Sequence, residues 1–192
     1  MNHFCIIGIR PLSPINAEEN LVCIEHAHAI QKALWPKNNW HYFYQGYNIE
    51  DNLEYVDLTH EALRDFSLYD TDTLKVSVCA VVGKNGSGKS SMIDLLIRMI
   101  NNLSAVLLGE NFNFAAAEHL HFIDYVYAEL AIRIGNVIYI LEEQGRSIKL
   151  HKYYRDRKSG RRFNRRIDES EILLDESTNS ETIQCLLKKH KK

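Results

Sequence analysis

A cluster of glycines in the middle of the chain places the strongest constraint on how it can fold. Three of the nine glycines lie within the stretch VVGKNGSGKSS, residues 81–91. The apolar run LKVSVCAVV (74–82) precedes the cluster and predicts a strand buried on both faces. The following stretch, SSMIDLLIRMINNLSAVLLG (90–109), predicts a largely buried helix. Because glycine in ordered structure costs about 0.5–1 kcal/mol relative to alanine, the cluster requires a local reason.

The polar residues of the predicted helix keep to one stripe at helical spacing: Asp94, Arg98, Asn101 and Asn102. The remaining positions are apolar, so we expect this stripe to be the polar face and Gly109 to cap the end of the helix.

Two interpretations of the glycine cluster compete, an ordinary surface turn and a loop that wraps a phosphate group. The residues from Gly83 to Ser90 match G-x-x-x-x-G-K-[ST], the phosphate-binding P-loop. Glycines let backbone N–H groups approach phosphate oxygens, and the N-terminus of the following helix attracts the same anion. In this interpretation Lys89 contacts the β- and γ-phosphates as the catalytic cation, and the Ser90 hydroxyl binds Mg²⁺. The predicted binding residues are Gly83, Lys84, Asn85, Gly86, Ser87, Gly88, Lys89, Ser90 and Ser91.

The stretch VVGKNGSGKSS, with Asn-Gly inside the loop, resembles the Walker A motif of ABC-type ATPases, above all of their SMC and RecF-like branch. The resemblance covers about residues 73–108. It implies an α/β P-loop NTPase core, with strand, loop and helix in that order, accompanied by an antiparallel β meander. It also implies ATP and Mg²⁺ as cofactors. The GTPase branch is disfavoured because no N-K-x-D guanine motif occurs in the chain.

The 192 residues are enough for a single nucleotide-binding domain. We expect an N-terminal extension (1–72), the P-loop core with its meander (73–154) and a charged C-terminal segment (155–192). In the extension, residues 3–9 predict a buried strand and residues 17–34 an amphipathic helix. Residues 40–49 are aromatic-rich and strand-like, and the acidic stretch after them predicts a surface connection with a short helix near 58–66. Residues 124–154 predict three strands joined by turns at Gly135-Asn136 and Gln144-Gly145.

ATP hydrolysis in the ABC-type family requires a Walker B strand that ends in Asp-Glu, a signature motif and a Q-loop glutamine. Two acidic pairs could end such a strand. Glu142-Glu143 falls on the predicted meander, where a solvated strand end is the simpler interpretation. Asp175-Glu176 in ILLDES resembles Walker B, although only three apolar residues precede Asp175 and a short strand or helix start on the surface is the simpler interpretation. The chain is therefore interpreted as the first lobe of such an ATPase, with the missing motifs on a longer parent protein, on a partner chain or second copy, or lost. The alternative is a nucleotide-dependent assembly module with little turnover.

Two further stretches are candidates for ligand contact. Tyr69 lies where ABC-type proteins often place an aromatic residue that stacks on adenine, although a core tyrosine is an equal interpretation. The run KLHKYYRDRKSGRRFNRR (149–166) holds nine Lys or Arg and one Asp, with aromatic residues interleaved. It could bind nucleic acid through phosphate contacts, or form a solvated hairpin end.

The histidines and cysteines predict no metal or disulfide framework. Two histidine pairs have i, i+2 spacing, but no further ligands stand at recognisable zinc spacing; these are His26, His28, His119 and His121. The four cysteines are scattered, which fits reduced thiols in a cytoplasmic protein. Neither a secretory signal nor a membrane-spanning apolar segment is expected.

Overall fold

The computed structural model describes residues 4–12, 39–44, 46–59, 80–82, 84–108, 122–145, 147–158, 160–165 and 172–174. These residues form one helix and nine strands. The helix is α1 (Lys89–Leu108). The strands are β1 (Phe4–Pro11), β2 (His41–Tyr42), β3 (Tyr47–Ile49), β4 (Tyr55–Leu58), β5 (Val126–Ile134), β6 (Val137–Gly145), β7 (Ser147–Arg155), β8 (Arg162–Arg165) and β9 (Ile172–Leu174).

The strands form a single sheet in the order β2-β1-β5-β6-β7-β8-β4-β3, with β9 pairing separately to β7. Every strand pair among the described residues is antiparallel. The predicted fold class, an α/β P-loop core, is therefore wrong, because the described chain is mostly antiparallel β with one helix. The predicted strand before the glycine loop lies largely outside the described residues, and its last part, Ala80–Val82, is not in a strand.

The predicted three-stranded meander is present as β5, β6 and β7. Its first turn lies at Gly135-Asn136 as predicted, and Gly135 and Gly145 both have positive φ angles. Two-residue turns join neighbouring strands only when the strands are antiparallel, so the turn residues in the sequence predicted the antiparallel meander. β1 extends the meander by pairing with β5, from Phe4 opposite Ile134 to Pro11 opposite Ala128.

The sheet curls until its two edge strands approach each other. Residues 43–46 connect β2 at one edge to β3 at the other, and the Ile49 N–H of β3 donates to the Tyr42 hydroxyl of β2 at 3.0 Å. The close approach of β2 to β1 requires Gly8, where a Cβ atom would lie 2.8 Å from the His41 carbonyl oxygen. The sheet is thus nearly closed, although β2 and β3 are not paired to each other.

The curl separates two apolar cores. One lies between α1 and the outer face of the sheet, and its buried members are Ile9, Leu95, Met99, Val126, Ala128, Leu130, Ile132, Leu141 and Ile148. The other fills the inside of the curl, and its buried members are Cys5, Ile7, Tyr47, Ile49, Leu53, Val56, Ala131, Ile138, Ile140, Tyr153 and Phe163. Both faces of the central strands are therefore buried, which explains their nearly continuous apolar sequences.

The helix is oriented differently from its predicted polar stripe. Leu95 and Met99 face the sheet, but Asn102, expected in the stripe, is completely buried. Ile97 and Ile100 are instead 59% and 41% exposed. The sequence of a helix that is apolar nearly all round does not indicate which face packs against the sheet. The buried hydrogen bonds of Asn102 therefore fix the rotation of α1 about its own axis.

Tyr153 anchors the inner core to the turn before β4. Its hydroxyl donates to the Leu53 carbonyl oxygen at 2.7 Å, and Leu53 holds a φ of 56°, which is uncommon for a non-glycine residue. We expect Tyr153→Phe to lower the free energy of unfolding by about 1–2 kcal/mol, because a buried carbonyl loses its donor. Urea denaturation measures this change. Tyr127→Phe is the control, since no hydrogen bond of that hydroxyl exists within the described residues, and equal losses in both variants would contradict the prediction.

Candidate functional site

The glycine loop adopts a conformation that depends on its glycines. Gly86 and Gly88 have φ angles of 77° and 85°, in the region that residues with a side chain rarely adopt. No atom lies within 4 Å of the position that a Cβ of Gly86 would take. Glycine is therefore required at Gly86 by the backbone conformation and not by lack of space, which supplies the local reason for the cluster.

Internal hydrogen bonds tie the loop to the start of α1. The Ser87 N–H donates to the Lys84 carbonyl oxygen at 3.2 Å, and the Met92 N–H donates to the Gly88 carbonyl oxygen at 2.9 Å. The Lys89 ammonium group reaches back across the loop and donates to the same Lys84 oxygen at 2.7 Å. One carbonyl thus receives both a backbone N–H and the lysine, and the positive charge is held over the loop.

The first turn of α1 favours an anion. The first N–H groups of any helix lack intrahelical acceptors and carry partial positive charge. The first turn of α1 contains no acidic residue that would neutralise that charge. Asn85, Gly86, Ser87 and Ser90 are exposed, so a ligand can reach them from solvent. Lys89 and Ser91 are half-buried. The arrangement can hold a phosphate group through backbone N–H groups and one ammonium group.

The structure brings residues 84–91 of the predicted site together. Several other predicted residues lie outside the described residues: Gly83, Tyr69, Asp175, Glu176, His26, His28, His119 and His121. The described chain contains no group of three or more His, Cys, Asp or Glu that could hold a metal ion. Among the described residues of the predicted site, the Ser90 hydroxyl is the group predicted to bind Mg²⁺, and phosphate oxygens and water would complete its coordination.

The acidic pair at the end of β6 is not at the loop. Glu143 contacts Asn102, and the helical rise places Asn102 about 18 Å along α1 from Ser90. The expectation of a solvated strand end is also wrong, because Glu143 is completely buried. Glu142 is half-buried, and its carboxylate lies 3.0 Å from the His151 imidazole. This contact lowers the pKa of the Glu142 carboxyl.

The Glu143 carboxyl lies between α1 and the sheet. Its Oε1 accepts a hydrogen bond from the Asn102 side-chain amide, while its Oε2 is buried without a hydrogen-bond partner in the described chain. Asn102 also bridges to the backbone of Ile123, as donor to the carbonyl oxygen at 2.8 Å and as acceptor from the N–H at 2.7 Å. Burial raises the pKa of Glu143 to about 8, so this carboxyl is largely protonated at neutral pH. Through Asn102, the Glu143 carboxyl links β6 to α1.

A second polar cluster, inside the curl, was not predicted from the sequence. Arg10 of β1 is buried and forms ion pairs with Glu129 of β5 and with Asp51, and its guanidinium lies 5.3 Å from the centre of the Trp40 ring. Asp51 and Trp40 belong to an open cavity of about 590 Å³ that is lined by Asn39, Trp40, Tyr42, Asn48, Ile49, Glu50, Asp51 and Asn52. The sequence does contain a signal for this cluster, because Arg10 and Glu129 each stand inside a strongly apolar strand. Buried charged side chains are stable only when they are paired with an opposite charge.

No protein-family model, curated protein or solved structure matches this chain. Within the described ranges, no helix combines the length and apolar character that crossing a membrane requires.

Proposed function

We propose that residues 84–91 bind the phosphate groups of ATP together with Mg²⁺. The observation that supports the proposal is the loop conformation. Gly86 and Gly88 take positive φ angles directly before a helix whose first turn contains no acidic residue. Backbone N–H groups of the loop and of the first turn of α1 bind phosphate oxygens. Lys89 exchanges its bond to the Lys84 carbonyl oxygen for the β- and γ-phosphates, and the Ser90 hydroxyl coordinates Mg²⁺.

Within this proposal, binding without rapid turnover is favoured over an efficient ATPase. Hydrolysis requires a carboxylate near the γ-phosphate that orients the attacking water and supports Mg²⁺. Glu143 contacts the helix far from the loop, and Glu142 is engaged with His151. If the protein hydrolyses ATP, this carboxylate comes from residues outside the described ranges, such as Asp175 or Glu176, or from a second chain. Phosphate release from the full chain, with and without nucleic acid, distinguishes a turnover enzyme from an assembly module.

Isothermal titration of the full chain with ATP and Mg²⁺ tests the binding proposal. We expect Lys89→Ala to weaken ATP affinity by about 10–100-fold, because a hydrogen bond to a charged group contributes roughly 1.5–3 kcal/mol. Lys84→Ala is the matched control, since it removes a lysine from the same loop and keeps the carbonyl oxygen that accepts from Ser87. We expect Lys84→Ala to change the affinity by only a few fold.

Two results would overturn the binding proposal. One is the absence of any heat of binding for the wild-type chain with ATP and Mg²⁺. The other is equal weakening by Lys84→Ala and Lys89→Ala, which would indicate general electrostatic attraction instead of a contact made by Lys89. A thermal-unfolding measurement on each variant checks that both remain folded.

A further inference from the structure

The connection from β7 to β8 concentrates positive charge on the protein surface. We define the basic hairpin as residues 155–162, which carry five cationic side chains and one acid, Asp156. The five cationic side chains are all exposed: Arg155, Arg157, Lys158, Arg161 and Arg162. The strands on either side pair in register, with Tyr154 opposite Asn164 and Arg155 opposite Phe163. Arg155 and Arg162 are therefore held in paired strands, and the other three cations lie in the connection between them.

The single acid in the hairpin is used to build the turn. The Asp156 carboxylate accepts from the Lys158 N–H at 3.0 Å, and its carbonyl oxygen accepts from the Gly160 N–H at 3.0 Å. Arg162 forms a two-pronged ion pair with Asp57 at 2.9 and 3.1 Å and lies 3.9 Å from the centre of the Tyr55 ring. Arg157 and Lys158, at the tip, have no side-chain hydrogen bond or ion pair within the described residues. Arg155 donates to the Gly160 carbonyl oxygen at 2.7 Å, so Arg157 and Lys158 are the two cations at the tip that are available to a ligand.

The aromatic residues next to the hairpin offer little surface for stacking. Tyr153 and Phe163 are completely buried in the inner core, and Tyr154 is half-buried within β7. The Tyr55 ring is already covered by Arg162. Recognition of single-stranded bases depends on exposed rings, whereas guanidinium and ammonium groups alone suit phosphate oxygens. The interleaved aromatic residues in the sequence therefore belong to the fold, and the exposed part of the run offers charge.

We propose that the basic hairpin binds the phosphodiester backbone of nucleic acid without reading its sequence. Four of its five cations are arginines, whose planar guanidinium groups match phosphate oxygens in a two-pronged geometry. An anionic membrane surface is a poorer fit, because none of the exposed large apolar side chains of the described chain lies in the hairpin. The proposal is independent of ATP binding, since the hairpin residues are separate from the glycine loop.

Fluorescence anisotropy with labelled duplexes of two unrelated sequences, one set in DNA and one in RNA, tests the proposal on the full chain. The titrations are made between 25 and 200 mM salt without nucleotide. We expect equal affinity for the two sequences and a linear fall of log K with log salt. For duplex DNA, Arg157→Gln with Lys158→Gln should reduce the slope by about 1.8, because each phosphate contact contributes about 0.9.

The matched control is Lys149→Gln with Lys152→Gln, which removes the same charge from β7 outside the hairpin. Lys149 stands opposite Glu142 in the sheet. We expect the control to leave the slope unchanged. The proposal is overturned if the wild-type chain fails to bind at 25 mM salt, or if both double variants reduce the slope equally. Tighter binding to phosphatidylserine vesicles than to either nucleic acid would overturn it as well.

Discussion

The free energy of unfolding is expected to fall by roughly 3–5 kcal/mol as the pH rises from about 4.5 to about 8, because Glu143 is buried as a neutral acid. Burial raises the pKa of this carboxyl from 4.5 to about 8, and one pKa unit corresponds to 1.36 kcal/mol. Between these pH values the folded chain retains a proton that the unfolded chain releases. The stabilisation is therefore complete below pH 4.5 and is lost as the pH passes through about 8.

The Glu143→Gln variant isolates this contribution. Glutamine keeps an oxygen that accepts from the Asn102 side chain and has nearly the shape of the protonated acid, but it does not titrate. Urea denaturation at several pH values between 4.5 and 8.5 gives the free energy of unfolding for each chain. We expect the difference between wild type and variant to grow with pH, and the variant to be the more stable chain near pH 8.

Other groups titrate in the same range, so the comparison between the two chains is what decides the prediction. Burial also raises the pKa of Glu129, whereas the contact with His151 lowers that of Glu142. Both effects are common to wild type and variant and cancel in the difference. Parallel pH profiles for the two chains would contradict the assignment of the proton to Glu143. Because Glu143 contacts the helix that follows the glycine loop, loss of this proton is expected to weaken the packing of α1 first.

The parts of the fold that were predicted correctly are those encoded by residues close together in the sequence. The helix after the glycine loop and the β5–β7 meander follow from local apolar patterns and turn residues. By contrast, β4 and β8 have only four residues each, of which one is fully buried and apolar: Val56 in β4 and Phe163 in β8. Their pairing joins segments about a hundred residues apart, and no local pattern encodes it. This is why a region interpreted as a surface connection is part of the sheet.

The predicted fold class was wrong because it was transferred from a short motif. A helix begins at Lys89 directly after the glycines, as predicted, but a motif of this length constrains only its own neighbourhood. The antiparallel pairing of β1 with β5 depends on residues far from the loop. For the candidate site, the loop conformation was predictable because glycine positions specify it. The burial of Glu143 was not predictable, because a strand that ends in two glutamates is expected to end in solvent. Only the position of α1, which covers this end of β6, shows that the carboxyl is buried.

Replacing Arg10 by methionine is expected to destabilise the fold by about 3–5 kcal/mol at pH 7, because Glu129 is left as an unpaired buried carboxylate. Both side chains are more than nine-tenths buried, at 8% and 4% exposure. The contact with Asp51 contributes little, since that carboxylate is 94% exposed. Burial raises the pKa of Glu129 and Arg10 opposes this effect, so without Arg10 the pKa rises further and the loss should be smaller at pH 5 than at pH 7. Urea denaturation at both pH values measures the two losses.

Two further variants separate the unpaired charge from the loss of packing. Arg10→Met combined with Glu129→Leu should recover most of the stability, because the buried charge is then absent from both sides. Arg162→Met is the matched surface control, since Arg162 also pairs with a carboxylate and covers an aromatic ring, but it is exposed. We expect that variant to be nearly as stable as wild type. If the double variant is as unstable as Arg10→Met alone, the contact of the Arg10 guanidinium with the Trp40 ring, and not neutralisation of Glu129, is what Arg10 contributes.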